Sequence, residues 1–280
     1  MLNPFAITGP AIISFSGGRT SAYMLHEIIQ AHEGRLPDDV QVAFANTGKE
    51  REETLRFVYE CGVRWGVNIH WLEWRDAKPC FEEVGFNSAS RDGEPFEALI
   101  KKKQRLPNWR ERWCTGFLKV KVLTAFAASL GWNPGEYAEV IGLRYDEGMR
   151  IFRGLENAEK DGRKVLYPLS RAKVVKQQVM AFWSAQDFGL QLEPWEGNCD
   201  LCFNKGRDIR KRIIADHPAS AKWWHEQEVE QNGFFDRRDR VADLAREVRE
   251  NPDLLDPPID EEEFDTECGL SCGYTPEAAE

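Results

Sequence analysis

The chain has 280 residues, enough for one large or two modest domains around a substantial core. Hydrophobic residues make up 42% and charged residues 30%; no apolar run approaches the roughly 20 residues that span a bilayer, and MLNPFAITGP lacks the basic and apolar regions of a signal peptide. These features exclude a membrane protein and predict a cytoplasmic one, while the formal net charge of -10 equals the ten acids between Asp253 and Glu280, so a near-neutral body does not exclude a nucleotide or nucleic-acid ligand.

In chain order, residues 11–15 (AIISF) form a short β-branched apolar run that predicts a buried strand. Ser16-Gly17-Gly18 is a turn, and from Arg19 onward Tyr23, Met24, Leu25, Ile28 and Ile29 recur at helical spacing. The turn therefore feeds a helix N-terminus, where unpartnered N–H groups and the positive end of the dipole suit a phosphate. Hydroxyls at Ser14, Ser16, Thr20 and Ser21 add to that, and Ser16 is expected to cap the helix. An ordinary strand–turn–helix corner is the alternative.

A second strand is predicted over 40–45, a helix over 50–65 with Cys61 in its apolar stripe, and a third strand over 68–74. Residues 75–112 show no clear period and read as a long loop, with Lys101, Lys102, Lys103, Arg105, Arg110 and Arg112 interleaved by Trp109 and Trp113. This basic stretch is either a solvated face or a polyanion site. Further on come a helix over 115–130, a strand over 138–143, a short strand near 165–167 and a helix over 172–188. Alternation of this kind predicts parallel strands joined by right-handed crossovers, a doubly wound α/β sheet whose ligands sit beyond the carboxyl ends of its strands. Two more loops leave strands on that rim, Asn46-Thr47-Gly48-Lys49-Glu50 and the stretch from Gly142 to Arg150 that carries Arg144. Guanidinium forks such as Arg144 and Arg150 match phosphate or sulfate oxygens.

Seven cysteines in a chain read as cytoplasmic do not make a disulfide framework. Cys114 lies just before a helix, and Cys199 and Cys202 form a C-x2-C knuckle that could be a zinc half-site, a redox dithiol or a coincidence. Lys205, Arg207, Arg210, Lys211 and Arg212 follow as a second basic patch. From Pro218 onward two helices are expected to pack on the α/β body, and after Asn251 the composition turns to Pro and acid, a mobile linker ending in Glu267-Cys268-Gly269-Leu270-Ser271-Cys272. The predicted organisation is thus an α/β domain over 1–217, a helical extension over 218–250 and an acidic cysteine-containing tail over 251–280.

SGGRTS resembles the SGGxxS pyrophosphate loop of the PP-loop ATP pyrophosphatase superfamily, in particular its branch with phosphoadenosine phosphosulfate (PAPS) reductase. Asn46-Thr47-Gly48 with Glu53-Thr54 is similar to that family's DTG…ET segment, with Asn for Asp, and the loop from Gly142 is similar to its GxRxxES…R segment. The resemblance implies an adenine nucleotide alpha hydrolase-like fold. It places an adenine nucleotide (PAPS, APS, or ATP with Mg2+) on Ser16, Gly17, Gly18, Arg19, Thr20, Ser21, Asn46, Thr47, Gly48, Gly142, Arg144 and Arg150. In cluster-bearing relatives a CC pair and a later CxxC hold a 4Fe–4S cluster. Cys114, Cys199 and Cys202 keep three of those positions, with Trp113 at the fourth, so the alternatives are a cluster with an open iron, one completed by another ligand, Zn2+, or free thiols. ECGL at Glu267 resembles the ECGxH tail whose cysteine attacks the sulfate sulfur, implying Cys268 as nucleophile with Ser271 in place of His. Three functions follow: a PAPS reductase-like oxidoreductase resolved by a thioredoxin-like reductant, an ATP-dependent sulfur transferase acting on tRNA or DNA, or a zinc-stabilised nucleotide or nucleic-acid binding module. A homodimer is compatible with each.

Overall fold

Successive residues of the first strand, β1 (Ala11–Ser14), enter different cores: Ile12 joins one apolar cluster, Ala11 and Ile13 another. A strand buried on both faces must be covered on both, and that requirement organises the chain. The computed structural model describes residues 3–193 and 195–251. Expectations for the tail, including those for Cys268 and Cys272, lie outside the described residues.

The sheet has six strands in the order β4-β3-β2-β1-β5-β6. The others are β2 (Val40–Asn46), β3 (Ile69–Trp74), β4 (Phe81–Val84), β5 (Ala138–Ile141) and β6 (Lys164–Leu166). All neighbours pair parallel except β3 and β4. Helices α1 (Arg19–Ala31) and α2 (Glu52–Trp65) carry the chain from β1 to β2 to β3 on one side. The chain then returns to the other edge of β1 for β5 and β6, with Ala11 opposite both Val40 and Ala138. Winding therefore reverses between β1 and β5, the position at which doubly wound sheets open a crevice for ligands.

One face of the sheet is covered by α1, α2, α7 (Pro168–Arg171) and α8 (Lys176–Ser184). On the other lie α3 (Glu94–Lys103), a continuous helix of α4 (Trp113–Thr115), a π-helical segment (Gly116–Lys121) and α5 (Val122–Ser129), and then α9 (Arg207–Asp216), α10 (Ser220–Glu230) and α11 (Val241–Glu250). Trp224 and Leu244 of the last two share one cluster with Trp74 of the sheet and Trp113 of α4, so the helices expected after Pro218 pack on the α/β body as predicted. Helix α6 (Gly148–Lys160) precedes β6. No described helix is long and apolar enough to cross a membrane.

The structure corrects three expectations and adds a helix. Residues 75–112 are not one long loop: β4 adds an antiparallel edge strand, and α3 buries Phe96, Leu99 and Ile100. The helix expected over 172–188 runs only from Lys176 to Ser184, behind the separate turn of α7. The basic stretch after the knuckle is helix α9, with Ile209, Ile213 and Ile214 inward. Ser16 does not cap α1; Gly18 holds the N-cap position and supplies no side-chain acceptor.

Candidate functional site at the strand switch

At the reversal point the turn after β1 meets the loop after β5. Ser16 Oγ and Ser21 Oγ are 2.8 Å apart, and Ser21 Oγ donates to Gly18 O at 3.0 Å, so the hydroxyls brace the turn. A Cβ on Gly142 would lie 3.1 Å from Ser21 Cα, so the small residue lets the β5 loop press against the first turn of α1. Arg144, only 3% exposed, donates from Nη1 to Thr20 Oγ1 at 3.1 Å and from Nε to Asp146 Oδ1 at 3.0 Å. Glu147 accepts from Arg144 N at 2.9 Å and pairs with Arg150. Arg19 points the other way, its Nη2 donating to the carbonyls of Leu190 and Leu192 at 2.6 and 2.7 Å. The result is the amino end of a helix with positive dipole and no side-chain cap, an arrangement that accepts an oxyanion.

The loop after β2 is built on a buried carboxylate. Glu73 in β3, fully buried, accepts from Asn46 Nδ2 at 2.7 Å, Ser90 N at 2.6 Å, Ser90 Oγ at 2.8 Å and Arg75 Nη2 at 2.9 Å. Asn46 Oδ1 in turn accepts from Gly48 N at 3.1 Å. An amide rather than a carboxylate is required at position 46, because a donor must face Glu73. Asn46→Asp is expected to lose about 2–4 kcal/mol of stability at pH 7, since two carboxyls at this distance cannot both ionise cheaply. Protonating either carboxyl relieves the repulsion and restores a donor between them, so the loss should shrink in acid. Urea unfolding at pH 4 and 7.5 checks it; a deficit of equal size at both would rule out the carboxylate clash.

The cysteine knuckle is tied to both loops. Asn198 Nδ2 donates to Ser16 O at 2.6 Å, Arg51 N to Asn198 O at 2.9 Å and Asp200 N to Lys49 O at 2.9 Å, and Glu50 and Cys199 form an antiparallel bridge. Lys205 staples the knuckle from within: its N donates to Cys202 O at 3.1 Å and its Nζ to Cys199 O at 2.7 Å. Burial pushes the Lys205 ammonium below its ordinary range, opposed by the thiols of Cys202 and Cys199 and by Asp200. Glu50, bridged through its backbone to Cys199, is buried: Oε2 accepts from Thr47 N and Oγ1 at 2.8 Å, and Oε1 faces Lys119 Nζ of the π-helical segment at 3.8 Å without a hydrogen bond among the described residues. Burial raises the Glu50 carboxyl, against the pull of Lys119 and Thr47. The knuckle, with the buried Lys205, is thus fixed beside the turn through Asn198 and beside the β2 loop through Glu50.

Cys114 occupies the first turn of α4, partly buried against the apolar cluster that also holds Leu201 and Phe203 of the knuckle. Asn204 bridges the segments, its amide 3.8 Å from Cys202 Sγ; with O and N exchanged it accepts from Arg112 Nε at 3.0 Å. Among the described residues, no three His, Cys, Asp or Glu side chains come together in an arrangement that would hold a metal ion. The three cysteines alone do not form a closed ligand set for a cluster or zinc.

Of the residues expected to bind nucleotide, Ser16, Gly17, Gly18, Thr20 and Ser21 share the turn and the head of α1, Gly142 and Arg144 press against it, and Asn46 to Gly48 leave β2, the strand paired beside β1. Sequence reading missed Glu73, Asn198, Asp200 and Lys119. Only Glu73 carried a signal, a carboxylate inside an otherwise apolar parallel strand.

Fold and site define an α/β protein with an uncapped helix N-terminus at its strand switch. No protein-family model matches the chain. Over 203 residues it is 31% identical to an uncharacterized nin region protein of Escherichia phage lambda, covering 69% of this chain and 66% of that one. Over 206 residues it is 25% identical to an uncharacterized protein of Methanocaldococcus jannaschii, covering 72% and 35%. The chain thus spans less than two thirds of either relative. Among solved structures it is similar to PAPS reductase from Candida auris in a phosphate complex (16% identity, TM-score 0.38, 65% of this chain and 79% of that one). It is also similar to the U34-tRNA thiolase NcsA from Methanococcus maripaludis with its 4Fe–4S cluster (12% identity, TM-score 0.38, 95% and 82%).

Proposed function

We propose that the protein is a PAPS reductase-like enzyme of the PP-loop superfamily that binds an adenine nucleotide at the strand switch and reduces a sulfonucleotide with thiols. The observation that carries this reading is the meeting of the Ser16–Ser21 turn and the Gly142–Arg144 loop at one uncapped helix end, beside the loop that leaves β2. The phosphosulfate lies against the head of α1. Cys268 Sγ attacks the sulfate sulfur; the S–S bond forms as the S–O bond to the nucleotide breaks, and adenosine 3′,5′-bisphosphate leaves. A thioredoxin-like dithiol then cleaves the thiosulfonate, releasing sulfite and becoming a disulfide. A second reading, ATP-dependent sulfur transfer, is favoured by the C-x2-C knuckle of Cys199 and Cys202, which Lys205 Nζ fastens through the Cys199 carbonyl and Asn198 ties to the turn at Ser16.

The test uses protein purified without oxygen and supplied with PAPS, APS or ATP. PAPS with a dithiol reductant is expected to yield sulfite, and Cys268→Ser to abolish turnover while PAPS still raises the melting temperature. Undiminished sulfite release from Cys268→Ser would overturn the assignment, as would the absence of stabilisation by any adenine nucleotide. Pyrophosphate release from ATP only when a nucleic acid is added would select the second reading. Iron with acid-labile sulfide, lost in Cys199→Ala, would show that the knuckle takes a cluster.

A further inference from the structure

The two basic stretches, about a hundred residues apart in sequence, meet in space. Together with the α10–α11 connection they line a cleft of about 760 Å³, whose walls come from 108–110, 203–207, Arg210, Phe234 and 236–238. Six cations and one carboxylate face it. Arg207 and Arg210 are spoken for: Arg207 pairs with Asp239 and Glu247, and the buried Arg210 with Asp236 and Asp239. Arg110 and Arg237 differ. Both are exposed, and among the described residues no carboxylate pairs with either.

The same cleft exposes aromatic rings. Trp109 is 58% and Phe234 39% exposed, and the Arg110 guanidinium lies over the Trp109 ring at 4.8 Å from its centroid. Behind them Phe203 and Phe235 stack at 5.9 Å. Leaving large rings in water is unfavourable, and placing them between unpaired guanidinium groups matches a ligand that alternates π-faces with negative charge. Lys205 and Asn204 form its inner wall, so the cleft reaches the back of the cysteine knuckle.

We propose that this cleft binds single-stranded nucleic acid, with bases stacked on Trp109 and Phe234 and phosphates on Arg110 and Arg237. A duplex keeps its bases stacked inside and would leave both rings without a partner; an acidic polypeptide would satisfy the arginines but not the rings. The inference goes beyond the proposed reading and holds whatever reaction the strand switch supports, because Trp109, Arg110, Phe234 and Arg237 take no part in that site.

The experiment is fluorescence anisotropy of short labelled oligonucleotides with the full chain, without added nucleotide. Single strands are expected to bind more tightly than the matched duplex, and an RNA arm against a DNA arm assigns the sugar. Trp109→Ala and Phe234→Ala should each weaken binding about fivefold to a hundredfold. Arg237→Gln should weaken it on all sequences and reduce the slope of log affinity against log salt by about 0.7. Far-ultraviolet circular dichroism checks folding, and PAPS-dependent thermal stabilisation, measured in the same variants, keeps failure here separate from failure at the strand switch. Equal affinity for duplex and single strand, full displacement by polyglutamate of matched charge, or unchanged affinity in both aromatic variants would overturn the proposal.

Discussion

Gly17→Ala is expected to lose about 2–5 kcal/mol of unfolding free energy and all nucleotide-dependent stabilisation. Gly17 adopts φ +78°, a region that costs a residue with a Cβ about 1–2 kcal/mol. Its missing Cβ is also space that is already filled: the added carbon would lie 2.7 Å from Thr54 Cγ2, 3.1 Å from Val58 Cγ2 and 3.2 Å from Phe44 Cε2. Thr54 is fully buried in α2 and Phe44 is in β2, so neither can swing aside, and overpacking adds about 1–3 kcal/mol. Relief comes only by displacing the turn, which moves Ser16 from Asn198 and Ser21 from Gly142. Gly34→Ala is the control. Gly34 has φ +91° with nothing within 4 Å of a Cβ, so it incurs the backbone cost alone. Urea denaturation of both variants separates the two contributions; equal losses would show that the contacts around Gly17 are immaterial.

That glycine shows how far a sequence can be read. The pattern SGG after an apolar run marked the turn, and the helical period of Tyr23 to Ile29 marked α1. What it could not mark was that the open side of Gly17 faces α2 and β2. The glycine is demanded by packing between elements distant in the chain, in addition to any ligand. Strands β1, β2, β3 and β5 were legible because burial on both faces leaves mostly apolar runs, broken only by single polar residues such as Gln41, His70, Glu73 and Glu139. Strand β4 was not, since an edge strand reading FEEV exposes its middle two residues and has no run to see. Helix α9 was hidden for another reason: its charges drew the eye, while three isoleucines supplied the inward stripe. The site divides likewise. Hydroxyls and glycines of the turn announce themselves locally, whereas Glu73, Asn198 and Asp200 owe their roles to partners 17 to 182 residues away.

Asp200→Ala is expected to cost about 3–5 kcal/mol, and the reason lies in what it would leave behind. Asp200 Oδ2 faces Lys49 Nζ at 2.9 Å, with side chains only 13% and 8% exposed, and its Oδ1 accepts from Trp224 Nε1 at 2.7 Å and Leu201 N at 2.8 Å. One carboxylate thereby joins the β2 loop, the knuckle and α10. Removing it strands an ammonium in a buried site, where the loss is the full desolvation penalty rather than the small net value of a pair. Asp38→Ala is the contrast, because Arg35 and Asp38 are 88% and 95% exposed and solvent already screens them. For a domain of this size the Asp200 loss corresponds to roughly 6–20 °C in melting temperature, against no measurable change for Asp38. Lys49→Met with Asp200→Leu should recover at least half of the loss by removing both charges, leaving Trp224 Nε1 as the remaining unpaired group. The consequence reaches the chemistry, since the knuckle is held to the β2 loop by the same residues. Cys199 and Cys202 should react faster with a thiol reagent in Asp200→Ala and regain protection in the double variant. A single variant that melts with the native protein would show that Lys49 finds water without Asp200, and that the knuckle does not depend on this pair for its place beside the strand switch.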